Sequence, residues 1–157
     1  MNEATIPASL TIRRALRAEA PAIAACVRAA YAPWVARLGR EPWPMTQDYD
    51  VVLATDEVFV AERGGELVGI LVLIATDEGF LLDNVAVHPA QKGGGIGKAL
   101  LVHAEREAKA RGYDSIYLYT NAAMSENIAL YSRLGYVEYE RREEHGLRRV
   151  FMRKRLA

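Results

Sequence analysis

Val87-His88-Pro89-Ala90-Gln91-Lys92-Gly93-Gly94-Gly95-Ile96-Gly97-Lys98 crowds four glycines into the point where a strand hands over to a helix. Upstream, Phe80 to Val87 reads as a strand that Pro89 ends. Downstream, Ile96, Leu100, Leu101, Ala104 and Ala108 mark the buried stripe of a helix that Gly112 closes. Without side chains the backbone can come close to a ligand, and the first N–H groups of the helix point outward without intrahelical partners. The helix dipole adds about half a positive charge at that end. Lys92 and Lys98 add whole ones, so a phosphate or pyrophosphate is the natural guest. Two commoner phosphate loops fail at single positions. A Walker loop needs glycine where Lys92 stands and a hydroxyl where Ala99 stands; a dinucleotide fingerprint from Gly93 needs glycine or alanine where Lys98 stands.

Outward from this unit, Val58 to Arg63, the turn Gly64-Gly65 and Glu66 to Ala75 form a hairpin, since paired glycines supply the positive φ of a tight turn. Leu10 to Ala15 is a first strand. Pro21 opens a helix carrying Ile23, Val27, Ala30 and Tyr31, predicted to end by Pro33, with a second short helical piece from Trp34 to Leu38. Asp48 to Thr55 is ambiguous. Ser115 to Thr120 is a strand, Ser125 is expected to cap a helix running to Leu134, and Val137 to Arg142 and Leu147 to Lys154 close the chain through His145-Gly146. The order β-α-α-β-β-β-α-β-α-β-β implies an α/β domain with a mixed sheet flanked by helices.

The 157 residues suit one domain, expected to span 1–157. Twenty Lys plus Arg balance twenty Asp plus Glu, so no global field favours nucleic acid or an anionic membrane. Apolar runs such as Ile70 to Ala75 fall far short of the ~20 residues a membrane span needs. No targeting segment is read at the start of the chain, and the lone Cys26 reads as a small buried hydrophobe; the expected location is cytoplasmic. No metal is assigned.

Val87-His88-Pro89, Lys92 to Gly97, Asn127 to Tyr131 and Leu134-Gly135-Tyr136 together resemble the Gcn5-related N-acetyltransferases (GNAT), whose signature is Arg/Gln-x-x-Gly-x-Gly/Ala. Lys92 takes the signature's first position, with Gln91 one residue early. The resemblance implies a mostly antiparallel GNAT-like sheet and acetyl-coenzyme A as donor, leaving coenzyme A as product. It further implies that Val85, Ala86 and Val87 border the pantetheine arm and that Lys92, Gly93, Gly94, Gly95, Ile96, Gly97 and Lys98 hold the pyrophosphate. Asn127 would contact the cofactor arm, and Tyr131 would face the thioester sulfur.

A phenol aimed at that sulfur stabilises charge as thiolate forms. Asp83 and the nearby His88 are candidate acceptors for the proton an alkylammonium must lose. The stretch between the first two strands would form the wall for a small-molecule amine acceptor. In it Tyr31, Trp34, Arg37 and Arg40 are candidates, the two arginines aimed at one carboxylate if a single helical turn carries both. Tyr117, Tyr119 and Tyr139 read as packing residues. A sensor that binds acetyl-coenzyme A without turnover, a longer acyl donor and a homodimer stay open at this stage.

Overall fold

The computed structural model describes residues 10–91 and 93–157; Lys92, expected at the head of the phosphate turn, lies outside the described residues. Along the chain run β1 (Leu10–Arg14), α1 (Ala20–Leu38), α2 (Tyr49–Thr55), β2 (Glu57–Arg63), β3 (Glu66–Thr76), β4 (Gly79–Val87), α3 (Ile96–Ala110), β5 (Ser115–Asn121), α4 (Ser125–Arg133), β6 (Val137–Glu144) and β7 (Leu147–Arg155). The strands are hydrogen-bonded in the order β1-β2-β3-β4-β5-β7-β6. The β1–β2, β2–β3, β5–β7 and β6–β7 pairs are antiparallel, and β4 with β5 is parallel. Contacts divide the chain into two units, one reaching to Leu73 and adding Asn84–His103, the other made of Ile74–Asp83 and Ala104–Ala157.

In the first unit, Val60, Ala61, Ile70, Leu71 and Leu73 of the β2–β3 hairpin are fully buried or nearly so, as are Ile23 and Val27 of α1 and Ile96 and Leu100 of α3. Gly69 explains how close α3 comes: a Cβ there would stand 3.1 Å from Leu100 Cδ1 and 3.2 Å from both Ile96 Cγ2 and the Ala86 carbonyl. In the second unit, Ala104 and Ala108 of α3 are buried, with Ile116, Leu118, Val150 and Met152 of β5 and β7. Every residue of the stripe expected on α3 is therefore inside. Among the described residues, no helix is long and apolar enough to cross a membrane.

The element order matches the sequence expectation, but its second helix does not. α1 runs unbroken through Pro33 to Leu38 and stops at Gly39, whose φ of 76° is left-handed and whose N–H returns to the Val35 carbonyl. Proline removes one helical hydrogen bond. Anchors on both sides offset that loss: Ile23, Cys26 and Val27 are buried before Pro33, and Arg37 stacks 5.0 Å over the Trp34 ring after it. The second helix is instead α2, capped by Asp48, whose Oδ1 accepts from the Asp50 N–H at 3.0 Å. Ser125 is not a cap but the first residue of α4, with Met124 at the cap position. Asn121 shapes that corner, its Oδ1 accepting from the Ala123 N–H at 2.8 Å.

One polar cluster crosses the first unit's interior. Asn84 on β4, only 4% exposed, accepts from the Tyr31 hydroxyl at 2.9 Å and donates to the Tyr49 hydroxyl at 3.2 Å. Tyr49 in turn donates to the Pro44 carbonyl at 2.7 Å, so α1, α2 and the turn at Trp43–Thr46 are pinned to one strand residue. Replacing Asn84 by leucine keeps the branched shape, at larger volume, and strips both tyrosines of this partner. Urea unfolding of Asn84→Leu is expected to show a loss of about 1–3 kcal/mol; an unchanged midpoint would mean the network contributes nothing net.

Candidate functional site

The glycine turn lies wholly in the first unit. Local polar groups there are used up in sequence: the His88 N–H donates to the Val68 carbonyl, the Ala90 N–H to His88 Nδ1 at 3.1 Å, and the Gln91 N–H to the His88 carbonyl. Gly94 N–H then reaches the Gln91 carbonyl at 3.3 Å. Helical bonding begins only with Ala99 N–H to the Gly95 carbonyl, which leaves the amides of Ile96, Gly97 and Lys98 ahead of the first helical bond. Gly93 and Gly95 take φ of 84° and 80°, which a side-chain-bearing residue rarely adopts, and a Cβ on either would meet nothing within 4 Å. Alternating left-handed residues before an open helix end make an anion-binding concavity. The turn thus fits a pyrophosphate in conformation, space and donors.

Gln91 does not stand in for the signature's first residue; its Oε1 accepts from Arg63 Nη1 at 3.1 Å. On β4, Val85 and Val87 share one face and are half-buried, while Ala86 points the other way and is buried. The parallel ladder to β5 pairs only Leu81 with Tyr117 and Leu82 with Leu118. Tyr31 is committed to Asn84, with a longer 3.5 Å approach to the Val85 carbonyl. Trp34 and Arg37 are stacked together on α1, but Arg40 lies past the left-handed Gly39, so the two arginines do not share a helical turn. His88 Nδ1 is taken by the Ala90 N–H, which puts its proton on Nε2 when neutral.

The second unit holds Asp83, Asn127 and Tyr131. Asn127 and Tyr131 are one turn apart on α4 and both half-buried. Asn127 Nδ2 lies 3.9 Å from the Met124 sulfur. The Tyr131 ring packs edge-on against Tyr136 at 5.7 Å, and its hydroxyl has no hydrogen-bond partner among the described residues. Burial pushes this phenol up to about 12, so it stays protonated, a donor without a local acceptor. Asp83 Oδ1 accepts from the Tyr119 hydroxyl at 3.3 Å. Arg149, 7% exposed, lies 4.4 Å over the Tyr119 ring and pairs with Glu144 at 2.7 Å. Burial, with the Asp83 charge beside it, raises the Tyr119 phenol well above its ordinary range, which keeps it a donor to the carboxylate. Sequence reasoning left Tyr119 among the packing residues and passed over Asn84 altogether. The one signal for Tyr119 was its alternation with Tyr117 on a strand.

Comparison with known proteins bears on the family and the fold. A family model described as Acetyltransferase (GNAT) domain matches residues 54–138. The mycothiol acetyltransferase of Streptomyces avermitilis is 36% identical over 84 residues, 52% of this chain and 27% of that protein. The IAA acetyltransferase of Azospirillum brasilense is 36% identical over 81 residues, 50% of this chain and 53% of that one. The chain thus spans about a quarter to a half of these relatives. Among solved structures, the PaiA N-acetyltransferase of Thermoplasma acidophilum in complex with coenzyme A superposes with a TM-score of 0.78 at 19% identity, covering 94% of this chain and 99% of that one. YncA from Salmonella typhimurium, described as an acetyltransferase by similarity and solved with acetyl-CoA, gives 0.70 at 25% identity, with 94% of each chain covered. With the family model covering more than half of its length, this chain belongs to the GNAT acetyltransferase domain family.

Proposed function

We propose that this chain is an N-acetyltransferase that moves the acetyl group of acetyl-coenzyme A to a primary amine by direct attack of the amine on the thioester. The observation that carries this reading is the open turn at Gly93 and Gly95, left-handed at both glycines and followed by three helical amides with no partner among the described residues. Relatives carry acetyltransferase names, and three of the similar structures hold coenzyme A or its acetyl thioester. Acetyl-coenzyme A, as the donor substrate, supplies an activated acyl group.

The chain's own residues then take these roles. The turn from Gly93 to Lys98, with Lys92 before it, holds the pyrophosphate. The backbone of Val85, Ala86 and Val87 borders the pantetheine arm, and Asn127 hydrogen-bonds it. Tyr131 donates a hydrogen bond to the sulfur as negative charge gathers there. Asp83, whose Oδ1 accepts from the Tyr119 hydroxyl, takes up the ammonium proton, directly or through water. Tyr31, Trp34, Arg37 and Arg40 form the acceptor wall, with the two arginines acting separately rather than as one clamp.

A panel of primary amines offered with acetyl-coenzyme A, followed by release of free thiol, tests the activity. Thiol release above the amine-free rate with at least one amine is expected; binding without release for every amine would make the chain a sensor. Calorimetry with Gly95→Glu is expected to lose coenzyme A binding, because the new side chain brings bulk and negative charge into the turn and strains a left-handed position. Unchanged affinity in the folded variant would remove the turn from the site. Tyr131→Phe is expected to keep cofactor affinity and lower turnover ~10- to 1000-fold, the range for losing one transition-state donor. Wild-type turnover would reduce Tyr131 to a packing residue.

A further inference from the structure

Arg63 closes β2 and stands against the glycine turn, though thirty residues of chain separate them. Its Nη1 donates to Gln91 Oε1 at 3.1 Å. A Cβ placed on Gly94 would lie 3.4 Å from Arg63 Nη1 and 3.8 Å from Nη2, so the guanidinium packs onto the middle glycine itself. The β2–β3 register shifts between Ala61 and Glu62. A bulge of this kind re-aims the side chains at a strand end. The neighbouring arginines of this sheet are neutralised: Arg13 pairs with Glu19 and Glu62, and Arg14 with Glu57. Arg63 has no carboxylate within ion-pair distance among the described residues; its one hydrogen-bond partner is the neutral Gln91 amide.

A guanidinium carries five N–H donors in a planar fork suited to phosphate. The amide of Gln91 uses one of them and fixes the fork's position without cancelling its charge. A Cβ at Gly94 would touch the fork at ordinary contact distance and crowd only the Gln91 carbonyl, 3.3 Å away.

We propose that Arg63 is a phosphate-binding residue for coenzyme A, delivered from the β2–β3 hairpin to the turn and supplying there the fixed fork that Lys92, a point charge, cannot. This rests on the reading of the turn as the pyrophosphate site. The phosphate engaged is either in the pyrophosphate or on the 3′ position of the ribose, and ligand choice separates the two.

Calorimetry on wild type, Arg63→Ala and Arg63→Lys with coenzyme A and with 3′-dephospho-coenzyme A is the test, alongside turnover of acetyl-pantetheine, which has no phosphate. Arg63→Ala is expected to weaken coenzyme A about 10-fold, the low end for a charge-assisted hydrogen bond at a partly exposed group, with Arg63→Lys between the two. Loss with both ligands assigns Arg63 to the pyrophosphate, and loss with coenzyme A alone assigns it to the 3′-phosphate. Acetyl-pantetheine turnover is expected to stay within about twofold of wild type, since it lacks the group addressed. Equal affinity of Arg63→Ala and wild type for coenzyme A overturns the proposal, as does an equal loss with acetyl-pantetheine, which would mark a structural role. If wild type itself takes up no coenzyme A, the pyrophosphate reading of the turn falls first and takes this one with it.

Discussion

The left-handed backbone at Gly93 and Gly95 is the constraint on which the passage from β4 into α3 depends. A chain leaving β4 must reverse into α3 without spending the amides that α3 exposes. Three short bonds, from His88, Ala90 and Gln91, satisfy the backbone before the glycines are reached. After them, φ near 80° at two positions turns the chain so that helical bonding starts only at Ala99. With ordinary residues there, each left-handed position would cost roughly 1–2 kcal/mol. Gly69 serves the same end, since a Cβ there would crowd Leu100 Cδ1, Ile96 Cγ2 and the Ala86 carbonyl at 3.1–3.2 Å and push the start of α3 off β3 by a few tenths of an ångström.

Strand β4 is put to two uses by its period of two. Asn84 and Ala86 face one way and are buried, and Asn84 pins Tyr31 and Tyr49 through a single amide. Asp83, Val85 and Val87 face the other way and keep partial exposure. A buried amide satisfied on both its ends tolerates little displacement. Asn84 therefore holds its own stretch of β4 from the face opposite Val85 and Val87.

Periodic features were legible in the sequence and singular contacts were not. The stripe Ile96, Leu100, Leu101, Ala104 and Ala108 repeats at helical spacing and is buried throughout. Pro33 misled because a proline states what bond is lost, while the burial of Ile23, Cys26 and Val27 that anchors α1 before it is tertiary. Gly39 is the converse: spacing alone set Arg37 and Arg40 on one turn, and one left-handed residue parts them. The Tyr119–Asp83 bond follows from the parallel register of β4 on β5, which no single strand reveals. Arg63 meets Gly94 next to a shift in the β2–β3 register, and neither the contact nor the shift leaves a trace in composition.

In the proposed reaction the state of Tyr131 decides what its hydroxyl contributes. A phenol near 12 facing a thiol near 8.5 is the weaker acid by about 3.5 units, so full transfer of its proton to the departing thiolate runs uphill by about 5 kcal/mol. Burial that makes it a poor acid also makes its hydrogen bond stronger, because a donor in a low-dielectric setting is screened less. The hydroxyl has no competing acceptor among the described residues, so no existing bond must break before it serves a sulfur. Both facts favour the same role: Tyr131 stabilises developing charge and keeps its proton, and the thiolate is protonated later from solvent. The Asp83 carboxylate, held on one side by a phenol that also stays protonated, is then the group on which the net proton movement of the acyl transfer falls.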